Sequence, residues 1–141
     1  MKRYLLIFPL LVLLIAACGD IQWLPSDGVS ANEPTPDPFT FTPKLCASPS
    51  TVVESGETVI TNVSSPATVS VKNGEYLATG GTWTSESKLY TPGTDKKLTI
   101  KVRHTTAAVT GSSPVVVTTL TVGKTTGLFY SDISTDSTWC R

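Results

Sequence analysis

From Leu98 to Thr105 the chain alternates with period two: Leu98, Ile100, Val102 and His104 fall on one face, and Thr99, Lys101, Arg103 and Thr105 on the other. A helix would bring its apolar residues back every three or four positions, so this run is a strand with one dry face and one wet face. Shorter runs of the same texture recur on both sides of it. Phe39-Thr40-Phe41-Thr42, Thr58 to Val63, Thr68 to Val71, Thr82-Trp83-Thr84, Val115 to Val122 and Leu128-Phe129-Tyr130 are rich in the β-branched and aromatic residues that suit a pleated surface. Turn signals separate them at Ser55-Gly56, Ser64-Ser65-Pro66, Asn73-Gly74, Gly80-Gly81, Tyr90 to Asp95 and Gly123 to Gly127. Asn73-Gly74 readily takes two successive positive φ angles, and it predicts a tight hairpin joining Val69–Val71 to Tyr76-Leu77.

Beyond the N-terminal segment no helical period of useful length is present, so the chain lacks the crossover helices that a parallel sheet requires. Seven or eight short strands separated by turn signals predict an all-β fold, an antiparallel immunoglobulin-like sandwich of about seven strands over residues 39–141. The expected core is Phe41, Val59, Val63, Val69, Val71, Trp83, Leu98, Ile100, Val102, Val116, Leu120, Val122 and Phe129.

The N-terminus has a different texture. Lys2 and Arg3 precede an apolar run from Leu5 to Ala17, which is too short and wrongly flanked for a stable membrane span and reads as a cleaved signal peptide over residues 1–17. The run ends in Ile15-Ala16-Ala17-Cys18, a spelling that resembles a bacterial lipobox, in which the cysteine sulfur receives a diacylglyceryl group and the mature chain begins there. Two or three acyl chains on Cys18 make a durable anchor where one would not. Gly19, in place of the aspartate that resembles an inner-membrane retention signal, points to the outer membrane. Residues 18–38 contain Pro25, Pro34, Pro36 and Pro38 among small and polar residues, and read as an extended, disordered linker. Ile21, Trp23 and Leu24 form an apolar cluster suited to the lipid interface.

Charge excludes one class of function. The chain carries 11 basic and 11 acidic side chains, so it lacks the basic excess that phosphate neutralisation demands, and no nucleic-acid partner is expected. With Cys18 lipidated, Cys46 and Cys140 form an even pair for a disulfide in an oxidising compartment, pinning the C-terminal tail to the first strand. Closing a loop of that length corresponds to about 4 to 5 kcal/mol in the chain-entropy account. A redox role would need close spacing, and Cys46 and Cys140 are far apart in the chain.

His104 is the single histidine, so any Ser-His-Asp or Cys-His catalysis would have to use it. It lies at an apolar position of a strand without a nucleophile elbow, zinc spacing or carboxylate pair, which predicts a hydrogen-bonded core histidine and no enzyme. Asp132 and Asp136 read as solvated turn residues rather than calcium ligands, and no metal or cofactor is expected. Tyr90, Tyr130 and Trp139 are the candidates for an exposed aromatic contact surface, whereas Trp83 between two threonines is expected to point inward.

The serial order of these signals, from Phe39-Thr40-Phe41-Thr42-Pro43 through Pro66 to Val71, Asn73-Gly74-Glu75-Tyr76, Gly80 to Thr84, Leu98 to Thr106 and Thr118 to Gly123, to Phe129 and Ser134-Thr135, resembles a known family. It is similar to the immunoglobulin-like β-sandwich repeats of secreted and surface proteins of environmental proteobacteria, over roughly residues 37–135. The resemblance implies a spacer or contact module and carries no catalytic set. The chain departs from the pattern in Cys46 and Cys140, in the Tyr90 to Asp95 turn, and in having one copy. Together these features point to a non-enzymatic, lipid-anchored envelope protein acting as an adhesion or assembly module, with an envelope protein or a second copy as partner. The alternative is a small-ligand or glycan-binding surface lipoprotein.

Overall fold

The computed structural model describes residues 32–109 and 114–133. Eight strands follow one another: β1 (Val52–Glu54), β2 (Thr58–Ile60), β3 (Ala67–Lys72), β4 (Glu75–Ala78), β5 (Lys88–Tyr90), β6 (Leu98–Thr105), β7 (Val115–Val122) and β8 (Thr125–Asp132). All ladders between them are antiparallel and no described residue is helical, so the chain has the all-β class that its alternation predicts. In one sheet β6 is central, with β1 and β2 end to end on one side and β4 on the other; the second sheet has the order β5-β3-β7-β8.

The two sheets share one core. Val53, Ile60, Tyr76, Leu98, Ile100 and Val102 come from the first, and Ala67, Val69, Leu120, Val122 and Phe129 from the second. Strand β6 repeats the sequence pattern residue by residue, with Leu98, Ile100, Val102 and His104 buried and the intervening residues half-buried or exposed.

Ser55-Gly56 does not reverse the chain. Glu54 faces Arg103 and Thr58 faces Ile100, so Ser55, Gly56 and Glu57 stand opposite Lys101 and Val102 and form a one-residue bulge. Ser55 bridges it: its backbone N–H donates to Val102 O at 2.8 Å and its side-chain Oγ accepts from Val102 N–H at 3.0 Å. The bulge and the left-handed Asn62 (φ 61) reset which side chains face inward. Ile60 and Val63 are buried, while Val59, expected in the core, is 53% exposed. Val71 and Val116 are only partly buried, because they lie toward the strand ends where the two sheets part.

The expected hairpin at Asn73-Gly74 is corrected by the topology. β3 pairs with β5 and β7, and β4 pairs with β6, so the chain crosses from one sheet to the other at these two residues. Asn73 is left-handed (φ 57), and a Cβ at Gly74 would collide with the Arg103 carbonyl oxygen, so the sequence suits a tight crossing as well as a tight reversal.

The linker boundary also moves. Residues 33–38, expected to be disordered, lie against the second sheet. The Glu33 carboxylate accepts from the Thr68 N–H at 2.9 Å and from the Thr68 hydroxyl. Pro34 O accepts from Lys124 N at 3.0 Å, Pro36 O from the Thr125 hydroxyl at 2.7 Å, and Asp37 N–H donates to Thr61 O at 3.1 Å. Proline has no N–H to satisfy, and its carbonyl remains a full acceptor, so a proline-rich segment docks readily along turns and edges. The segment continues as a strap along β8: Lys44 N–H donates to Tyr130 O at 2.8 Å, Asp132 N–H to Lys44 O at 3.0 Å, and Ala47 N–H to Asp132 O at 3.0 Å. Phe39-Thr40-Phe41-Thr42, expected as a strand, is part of this strap and joins no ladder. Phe39 and Phe41 instead close one open side of the molecule. Their rings meet edge to face at 5.9 Å, and Phe41 meets Phe129 at 6.4 Å.

Candidate functional site

Three places concentrate chemistry. The first is inside. His104 reaches from β6 across the gap between the sheets to β7 and β8, with Nδ1 2.7 Å from Thr118 Oγ1 and Nε2 2.6 Å from Ser131 Oγ. The Thr118 hydroxyl spends its one proton on Asn73 O at 2.7 Å, so at the histidine it accepts. That fixes the neutral tautomer with the proton on Nδ1, and leaves Nε2 to accept from the Ser131 hydroxyl. Burial lowers the His104 pKa below its ordinary value, which agrees with a neutral ring. Histidine and serine stand within proton-transfer distance, yet Ser131 and Thr118 are fully buried and the third member is a threonine rather than a carboxylate. The group staples two sheets; the expectation of a hydrogen-bonded core histidine matches this geometry. Thr118 and Ser131 were legible as partners: each is a hydroxyl residue at the inward parity of its strand, in step with Leu120 and Phe129.

The second place is the outer face of the first sheet. Glu54, Arg103 and Glu75 form one cross-strand row, with Arg103 Nε 2.8 Å from Glu75 and Nη1 4.0 Å from Glu54. The Arg103 guanidinium lies 4.4 Å above the Trp83 ring. Trp83 is therefore not in the core as expected. Thr84 pairs with the inward Tyr76, so its neighbour Trp83 points to the opposite, outer face.

The third is the outer face of β7 and β8. Val115, Leu128 and Tyr130 are 40%, 37% and 38% exposed, and Val117 is directly opposite Tyr130 in the ladder. These side chains make an apolar stripe on a long hairpin whose other face is core. Lys72 of β3 borders it, beside Thr119.

The sequence-predicted contact residues are not brought together. Tyr130 is on β8 and points out; Tyr90 is on β5, at the opposite edge of the same sheet, paired with the buried Ala67 and half-buried on the inner face. Two intervening strands separate them by about 14 Å, so they cannot stack on one sugar ring. Trp139, Cys18, Cys140, Asp136 and the Ile21-Trp23-Leu24 cluster lie outside the described residues. Cys46 is exposed and left-handed (φ 56), next to Ala47, whose N–H is held by the last residue of β8. No group of histidine, cysteine and carboxylate side chains suited to a metal ion occurs among the described residues.

Comparison with family models, with curated proteins and with solved structures finds no match to this chain.

Proposed function

We propose that the chain is a non-enzymatic, lipid-anchored protein of the bacterial envelope, most naturally of the outer membrane, whose immunoglobulin-like sandwich serves as an assembly module. The single observation that carries the interaction role is the apolar stripe of Val115, Val117, Leu128 and Tyr130 on the outer face of β7 and β8. Its residues stand on a fully paired eight-residue hairpin, so docking a partner there costs little backbone ordering. The absence of catalysis rests on His104, whose two ring nitrogens are committed to buried hydroxyls. The lipid anchor at Cys18 rests on the sequence. The Cys46–Cys140 bond is supported by the place where β8 ends: Asp132 O holds Ala47 N–H, so the C-terminal tail departs beside Cys46.

The test is capture of the full-length lipidated protein from its own envelope after mild crosslinking, comparing wild type, Cys18→Ala and the double variant Leu128→Ser, Tyr130→Ser. Wild type should retain a stoichiometric envelope protein that both variants lose, with the circular dichroism of the double variant unchanged. Equal capture by all three proteins overturns the reading.

A further inference from the structure

The strap closes the molecule along β8; on the opposite side the chain passes from Thr84, paired with Tyr76 of β4, through Glu86 to β5. There a cleft of about 150 Å³ opens between the sheets, walled by Tyr76 and Ala78 of β4, Val69 of β3, Tyr90 of β5 and Thr84. A dry cavity of this size holds about one benzene ring. The two phenols shape it and their hydroxyls are occupied, Tyr76 donating to Glu86 O and Tyr90 to Lys97 O, each at 3.1 Å. Burial and the nearby Glu86 carboxylate raise the Tyr76 pKa, which keeps its hydroxyl a donor. Beside the cleft runs β5, which among the described residues pairs with β3 alone and ends its sheet.

We propose that β5 accepts an extended segment of a partner protein as an added parallel strand, with one apolar side chain of that segment filling the cleft and a carboxylate two residues before it meeting Lys88. Residues opposite Lys88 and Tyr90 in an added strand point toward the same inner side. Tyr90 offers the apolar wall there and the exposed Lys88 the charge, so the matching pattern is an acidic and an apolar residue separated by one. The molecule already uses the same solution on its other side, where the strap runs along β8 and seats Phe39 and Phe41 between the sheets. A second copy of β5 is the poorer occupant, because antiparallel pairing about Leu89 sets each Lys88 opposite Tyr90 of the other copy and brings it no carboxylate. The reading is independent of the β7–β8 stripe.

The experiment is a titration of the isotope-labelled full-length chain in detergent, followed by backbone amide shifts, with the peptide acetyl-Thr-Glu-Thr-Leu-Thr-amide. Saturable shifts at Lys88, Leu89, Tyr90 and Tyr76 are expected, and replacing leucine by alanine in the peptide should weaken binding at least about tenfold. Lys88→Glu should weaken the acidic peptide by roughly two- to fivefold and restore affinity for a peptide with lysine in place of glutamate. Ala78→Leu, which fills the cleft, should abolish the shifts; if it does not fold, the exposed Lys88→Glu variant decides. No saturable shift up to about 10 mM, shifts confined to β7 and β8, or indifference to the leucine overturns the proposal.

Discussion

Replacing Thr118 by valine keeps the shape of the side chain and removes its hydroxyl, which isolates the hydrogen bonds of the inter-sheet staple. Two contacts disappear together: the 2.7 Å bond from His104 Nδ1 and the 2.7 Å bond to Asn73 O. His104 is 5% exposed and Thr118 not at all, so water cannot replace the missing oxygen at the ring. The ring N–H, buried and left without a partner, costs about 1 to 3 kcal/mol, whereas the carbonyl of the exposed Asn73 can turn to water, so the predicted loss is about 1 to 3 kcal/mol. That is a large part of the total stability of a small domain. Urea unfolding at pH 8 reads it as a lower midpoint at unchanged slope. Combining Thr118→Val with His104→Leu should give a coupling energy of about 0.5 to 3 kcal/mol, because the leucine removes the group that the valine strands. A loss below about 1 kcal/mol for the single variant, or additive effects in the cycle, would refute the assigned bonds.

Stability should fall as pH drops below about 6.5, the value His104 has when unfolded, and continue to fall down to its lower folded-state value. In that window the unfolded chain binds the proton and the folded one does not, so His104→Leu should remove this slope from chemical-denaturation curves recorded between pH 7 and pH 5. Gly127→Ala should displace the Phe39 ring, into which the new Cβ would run, at a cost of about 1.5 to 3 kcal/mol; faster hydrogen exchange at Lys124 N–H, now held by Pro34 O, would accompany it. Cys46→Ser should lower stability under non-reducing conditions by about 2 to 5 kcal/mol, and non-reducing peptide mapping of the wild type should recover the Cys46 and Cys140 peptides joined. Recovery of both peptides unlinked would defeat the pairing.

What the sequence made legible follows the range of the forces involved. Strands β6 and β7 were readable to their end residues: alternation over eight positions leaves one way to bury Leu98, Ile100 and Val102, and the β-branched, apolar run of β7 has no other use for Leu120 and Val122. Strands β1 and β5 were missed, since three residues such as Val52–Glu54 or Lys88–Tyr90 contain too little period to register. Asn73-Gly74 was legible as a sharp change of direction and not as a crossing. Its left-handed φ serves both, and the choice lies in partners far along the chain, Thr118 for the Asn73 carbonyl and β6 for the residues that follow. Val59 and Trp83 fail for the same reason: a bulge in one case and a single bridge at Thr84 in the other set the parity, and neither is local. The strap shows where compositional reasoning about disorder stops. Residues 33–38 bury few apolar groups, and it is carbonyls, two carboxylates and a backbone N–H that hold them, none of which hydropathy registers.

The strap also gives the proposed anchor a direction. It meets the domain at the turn between β7 and β8, where Pro34 O takes Lys124 N–H, and then runs along β8 toward Asp132. The lipid proposed at Cys18 would connect to the domain at the Gly123–Lys124 end. The apolar stripe begins at Leu128 and reaches Val115 and Tyr130, at the far end of a hairpin whose eight-residue strands span roughly 25 Å. The stripe thus lies on the half of the hairpin away from the turn that Pro34 meets, and a protein partner is the cover we propose for it. The β5 cleft lies at the level of Val69, which pairs with Val122 next to the turn that Pro34 meets. The two proposed surfaces are at opposite ends and opposite edges of one sheet, so a segment bound at one would leave the other open.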